Sequence, residues 1–245
     1  MRVFCVVGTL VAALLTASNA CAQNCPALLQ TASRLLLVTV PTLASSAGTL
    51  RLFERAGKDA PWRLAGSAEP VMVGKRGLAW GRAFRDLADS GEPVKVEGDK
   101  RSPAGIYAIG RPFGFAASSL ANYLRIAADS VCVEAPSSTT YNTIVSGRSI
   151  GRPSAMASMR ATPVYRRGLV VDYPTDATAK AGSCIFIHIW KGPGRGTDGC
   201  VVMPEHRVSV LQQFVNKHPS VLALLPAAAL GRLAGCLPAE ATARR

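Results

Sequence analysis

His188 and Cys200 are the side chains in this sequence whose types and setting fit nucleophilic chemistry. They lie within the run I-H-I-W-K-G-P-G-R-G-T-D-G-C-V-V-M-P, from Ile187 to Pro204. A histidine ends an apolar strand-like segment, a glycine-rich loop follows, and a cysteine stands behind a glycine before apolar residues resume. A thiol attacks a carbonyl as its thiolate, so it needs a partner to take its proton and donors to hold the resulting oxyanion. A neighbouring imidazole serves first as base and then as acid for the leaving amine. Gly192, Gly194, Gly196 and Gly199 let the loop fold back, so that Cys200 faces His188. The N–H groups of Gly199 and Cys200 would then point at the developing charge. The residue types alone leave another reading open, in which His188 is a strand histidine and Cys200 a disulfide-bonded or buried thiol.

Cysteine usage bears on that choice. Arg2, the apolar run Val3 to Ala17 and the small residues up to Ala22 have the three-part form of a secretory signal peptide, with cleavage expected after Ala22. Cleavage after Ala20 and lipidation of Cys21 are the alternatives. The apolar run is shorter than the roughly 20 residues of a membrane span, so no span is expected once the leader is removed. Export would leave Cys25, Cys132, Cys184, Cys200 and Cys236 in an oxidising compartment, periplasmic or extracellular. Five thiols suggest two disulfides and one remainder. The simplest pairing joins Cys25 to Cys236 near the two ends and Cys132 to Cys184 in the middle. Cys200 is then the free thiol.

A zinc site is the rival constellation, with Cys184, His188, Cys200 and His206 as ligand types. No tight CxxC pair supports it, and no metal or other cofactor is expected. A serine hydrolase is disfavoured because no G-x-S-x-G occurs. The net charge of +13 is spread along the chain and suits an anionic envelope polymer. No basic helix with interleaved aromatics appears, so nucleic acid is not an indicated partner.

The elements that must position these groups read as one mainly β domain with a few helices (α+β). Leu35 to Val40, Thr49 to Glu54 and Pro70 to Val73 have the pattern of an antiparallel meander. Pro93 to Val96, Ile106 to Ile109, an edge at Arg125-Ile126, Gly168 to Asp172, Ser183 to Trp190 and Val221 to Leu225 add further strands. The spacing of Val208, Leu211, Phe214 and Val215 predicts a helix over 205–217, with Pro204 near its first turn. A short helix is expected near Ser154 to Arg160. This organisation gives a leader (1–22), an N-terminal segment with Cys25 (23–33), a main domain (34–226) and an alanine-rich tail pinned by Cys236 (227–245).

The loop sequence T-D-G-C-V, behind strand and histidine, resembles the signature H…[ST]-x-G-C-[IV] of the YkuD-type L,D-transpeptidases. The stretch Gly98 to Tyr107 is similar to that family's upstream [ST]-P-x-G-x-[FY] segment, here S-P-A-G-I-Y. The form I-H-I-W-K-G-P-G, with Cys132 and Gly182-Ser183-Cys184, resembles an exported proteobacterial branch. The resemblance spans about residues 34–226. It implies a β-sandwich or barrel-like catalytic domain that crosslinks peptidoglycan through a cysteine acyl-enzyme on stem peptides. Trimming of stems with water as acceptor is the near alternative, and an envelope-binding domain without turnover is the other. By this resemblance Cys200 is the nucleophile and His188 the base. Gly199 would help form the oxyanion hole, and Thr197 and Asp198 would shape the loop. Trp190, Asp99, Ser102 and Arg195 are candidate cleft residues, Arg195 as a cation for a substrate carboxylate. Tyr141-Asn142 is a further candidate contact. The family commonly has arginine two places after the cysteine; Val202 occupies that place here.

Overall fold

The computed structural model describes residues 25–150 and 158–242. The leader expected over 1–22 lies outside the described residues, as does most of the helix expected near Ser154 to Arg160. Where that helix should end, Met159–Ala161 form a 3-10 turn. Among the described residues no helix is long and apolar enough to cross a membrane.

A short helix α1 (Ala27–Thr31) leads into β1 (Arg34–Val40) and β2 (Ala47–Glu54). Then come β3 (Arg63–Leu64), β4 (Glu69–Met72), β5 (Leu78–Trp80) and the long β6 (Ser102–Gly114). Beyond it lie β7 (Leu124–Arg125), β8 (Ser130–Cys132), β9 (Ile144–Ser146), β10 (Arg167–Asp172), β11 (Phe186–Ile189) and β12 (Val201–Met203). Helix α2 (Glu205–Phe214), β13 (Ser220–Pro226) and α3 (Ala239–Thr242) complete the order.

Eight of these strands close into a barrel in the order β1-β13-β6-β10-β11-β12-β4-β2, with β2 pairing back onto β1. The pairs β1/β13 and β11/β12 are parallel, and the other barrel pairs are antiparallel. The apolar runs of β1 and β13 reflect this position. Leu35, Leu36, Leu37 and Val38 are all buried, as is every residue of β13, so neither strand needs a polar face. Mainly β architecture with few helices is thus the observed class.

Several expectations require correction. Pro93 to Val96 makes only an isolated bridge, Trp80 to Val94, and is not a strand. The strand expected from Ser183 starts at Phe186, because Gly182 and Cys184 have left-handed backbone (φ 102° and 56°) that a strand does not accommodate. Pro204 caps α2 from outside instead of occupying its first position. The C-terminal segment, tied by the Cys25–Cys236 bond, also packs on the domain: Ala229, Leu233, Leu237 and Ala241 join the main core. Each buried leucine there contributes about 1.5–3 kcal/mol of transfer free energy.

The strand alternation decides where the candidate chemistry lies. Ile187, Val201 and Met203 point into the barrel core. Phe186 belongs to a second cluster with Phe113, Ile126, Met159 and Cys184, against which Cys200 packs. Successive residues face opposite ways on a strand. His188 and Val202 therefore share the outer face with Phe186 and Cys200.

Candidate active site

Cys200 and His188 come together through two parallel neighbours. The register pairs Ile187 with Val201 and His188 with Val202, so Cys200 stands beside Phe186, one diagonal step from His188. Both line one cavity of about 760 Å³, together with Tyr165, Trp190, Glu97 and Glu134. Gly199 makes the entry into β12 possible. Its φ is 155°, and a Cβ there would lie 3.1 Å from Ile185 Cδ1.

The loop is tied from beneath. Thr197 Oγ1 accepts from the Gly199 N–H (3.1 Å) and donates to the Cys200 carbonyl (2.6 Å). Thr197 thus shapes the loop, and it occupies the Gly199 N–H expected to face an oxyanion. Ser102 Oγ accepts from Gly74 N–H (2.9 Å) and donates to the same Cys200 carbonyl (3.3 Å). Ser102 is 0 % exposed, so it braces the loop and does not line the cleft. Asp99 is also structural. Its carboxylate accepts from Lys95 Nζ (2.7 Å) and from the Val96 and Arg101 N–H groups (3.0 and 2.9 Å). Trp190, Arg195 and Asp198 line the cavity, and Asp198 pairs with Lys75 at 3.1 Å on the exposed rim. Val202, 1 % exposed, fills the barrel wall below His188.

The histidine is set for one role. His188 is buried, and its Nδ1 donates to the Ile189 carbonyl at 2.8 Å, which can only accept. Nε2 therefore carries the lone pair and is the basic atom. Tyr165 lies edge-on against the ring at 5.0 Å between centroids. Burial, with a smaller push from Lys191, depresses His188 to about 4. Burial likewise pushes the Cys200 thiol up to about 12, with Glu134 and Asp198 adding to the rise while the Phe186 N–H and Lys95 oppose it. The free site is consequently a neutral thiol beside a neutral imidazole at pH 7, not a thiolate–imidazolium pair. The thiol proton rests on the Cys184 carbonyl, 3.4 Å from Sγ. A peptide carbonyl entering the cavity would meet a thiol whose proton must pass to Nε2 as the S–C bond forms.

The disulfides are Cys25–Cys236 and Cys132–Cys184, the two pairs named from the sequence, and Cys200 is unbonded. Cys184 is thereby withdrawn from the rival zinc set. His206 is exposed on α2 and does not line the cavity, and no metal-binding group forms among the described residues. Tyr141 and Asn142 serve the framework. Tyr141 donates to Glu97, while Asn142 Oδ1 accepts from the Cys184 N–H at 2.8 Å. Glu97, Glu134 and Tyr165 went unread, because each reaches the cavity from a segment with no motif of its own.

Comparison with known protein-family models and with curated protein sequences finds no match. Among solved structures, a mutant form of the helical cell shape determining protein Pgp2 from Campylobacter jejuni aligns over 80 % of this chain and 47 % of its own, at 14 % identity and TM-score 0.42. The unmutated Pgp2 gives 14 % identity and TM-score 0.37 over 80 % and 48 %. Bdellovibrio bacteriovorus Bd1075 gives 14 % and 0.38 over 80 % and 52 %. The chain spans about half the length of these proteins.

Proposed function

We propose that this protein is an exported cysteine acyltransferase of the L,D-transpeptidase type, acting on peptidoglycan stem peptides. The observation that carries the proposal is the pairing in one cavity of the unbonded Cys200 with a histidine whose Nε2 is left as the free acceptor by the Nδ1 bond to Ile189. The two disulfides suit an oxidising envelope compartment. The loop motif and the upstream S-P-A-G-I-Y segment supply the choice of substrate.

Cys200 Sγ attacks the carbonyl at the L-centre of the third stem residue as its proton moves to His188 Nε2. The tetrahedral oxyanion collapses, and the proton on Nε2 passes to the departing amine of the terminal D-amino acid. A thioester on Cys200 remains. An amine from a second stem then attacks the thioester, giving up a proton to Nε2, and the thiol is regenerated. Water in place of that amine makes the reaction a carboxypeptidase. The Ile189 carbonyl keeps the ring in the required tautomer throughout and faces the Nδ1–H of the transient imidazolium. The charges of Lys75, Arg195, Glu97 and Glu134 around the cavity suit a substrate bearing both carboxylate and ammonium groups.

Purified sacculi treated with the wild type and with Cys200→Ala, then digested to muropeptides, test the proposal. New crosslinks from the wild type alone support transpeptidation, and shortened stems alone support the carboxypeptidase. Unchanged muropeptides with a folded wild-type protein refute catalysis on this polymer.

A further inference from the structure

Cys184 links three parts of the molecule at the thiol. Its side chain is bonded to Cys132 at the end of β8, in a hairpin that is not part of the barrel. Its N–H donates to Asn142 Oδ1 in the same hairpin (2.8 Å), and its carbonyl receives the Cys200 thiol. Its φ of 56° is left-handed, a conformation that is unfavourable for a non-glycine residue because Cβ crowds the following carbonyl oxygen. Something must hold it there. On the upstream side Gly182, φ 102°, packs its α-carbon on Lys95, where a Cβ would lie 3.0 Å from Cε. Lys95 is 2 % exposed and fixed by Asp99. Ser183 Oγ donates to Glu97 (2.8 Å), which also accepts from Tyr141 of the hairpin.

These ties converge on the one carbonyl that accepts the thiol. If Cys184 relaxed to extended backbone, that carbonyl would turn away and the sulfur would lose both its acceptor and the packing of the second cluster. We propose that the Cys132–Cys184 disulfide, with Asn142, is a positioning device for Cys200, holding the Cys184 carbonyl against its thiol. The inference rests on Cys200 being the nucleophile of the proposed acyl transfer. Its consequence is that the site works with this cysteine pair oxidised and Cys200 reduced. Cys25–Cys236 lies in the other cluster and has no such role.

The test uses the double variant Cys132→Ala/Cys184→Ala, the single variant Asn142→Ala, and Cys25→Ala/Cys236→Ala as control, each in the full-length mature protein. Two quantities are read: the iodoacetamide alkylation rate of Cys200 from pH 7 to 10, and stem-peptide turnover. The hairpin double variant is expected to alkylate at least tenfold faster at pH 7, with a titration displaced toward an ordinary thiol. Its turnover should fall at least tenfold. Asn142→Ala should move both in the same direction by a smaller factor, and the control should move neither below its melting temperature. An alkylation profile like the wild type's in a folded hairpin variant would overturn the inference. Should the double variant not fold, an unchanged profile in folded Asn142→Ala does so instead. Altered alkylation with no wild-type activity on stems would leave the positioning intact and refute the substrate reading, so the two failures are distinguishable.

Discussion

Raising pH through the thiol's titration separates a preformed ion pair from general-base activation. In the free site burial holds Cys200 near 12 and His188 near 4. A thiol near 12 is ionised to ~1 part in 10⁵ at pH 7, against ~3 % for an ordinary cysteine near 8.5. The thiolate fraction is thus roughly 3,000-fold smaller. The more basic thiolate is also the better nucleophile, and a Brønsted slope of about 0.45 over about 3.5 units returns roughly 40-fold. Cys200 should therefore alkylate about 10²-fold more slowly than a free thiol at pH 7, before any steric hindrance. The assay is iodoacetamide modification followed by intact mass, with rates taken from pH 6.5 to 10. Log rate should climb with a slope near one and no plateau. His188→Ala should change this profile little, because His188 is already neutral across that range. A plateau with its midpoint at or below pH 8, abolished by His188→Ala, would show a thiolate–imidazolium pair in the free protein and refute the reasoning.

Three other outcomes follow from the framework around the site. Ser102→Ala orphans the Gly74 N–H and weakens support of the Cys200 carbonyl, and should cost about 1–3 kcal/mol in urea unfolding while slowing turnover. Asp99→Asn leaves the buried Lys95 ammonium without its counter-charge and should cost about 3–5 kcal/mol, measured the same way; a loss below 1 kcal/mol would contradict that burial. Replacing Cys25 and Cys236 with alanine opens a link between residues 211 apart. It should cost about 2–5 kcal/mol, seen as a lower melting temperature.

The parts of the fold readable from sequence are those where pattern and packing coincide. Leu35 to Val38 and Val221 to Leu225 are apolar throughout because β1 and β13 are buried on both faces there. The helix after Pro204 was visible because Val208 and Leu211 face the core at helical spacing. Closure into a barrel was not readable from the strand pattern, since it depends on the parallel pairing of β1 with the distant β13 and on the parallel β11/β12 pair, joined across the loop. β8 and β9 are three residues each, too short for a period to show.

At the site, Cys200 and His188 stood out because a reactive residue type coincided with glycine and strand signals. The cysteine pairing followed from position along the chain. Asp99 and Ser102 were misplaced into the cleft for an instructive reason. A turn that braces a loop and a turn that lines a cavity use the same polar residues, and only burial tells them apart. The neutral state of the Cys/His pair is likewise a property of desolvation, which no residue spacing reports.

The central claim is a covalent acyl-enzyme on Cys200, and intact-mass analysis of the protein with a stem tetrapeptide reads it directly. Quenched in acid within the first turnovers, the wild type should gain the mass of the tripeptide less water, mapped to the peptide containing Cys200. The terminal D-amino acid should be released with it. Cys200→Ala should show neither adduct nor release. A wild-type protein that stays at its own mass and leaves the tetrapeptide intact, or a Cys200→Ala variant that cleaves it as fast, would contradict the account.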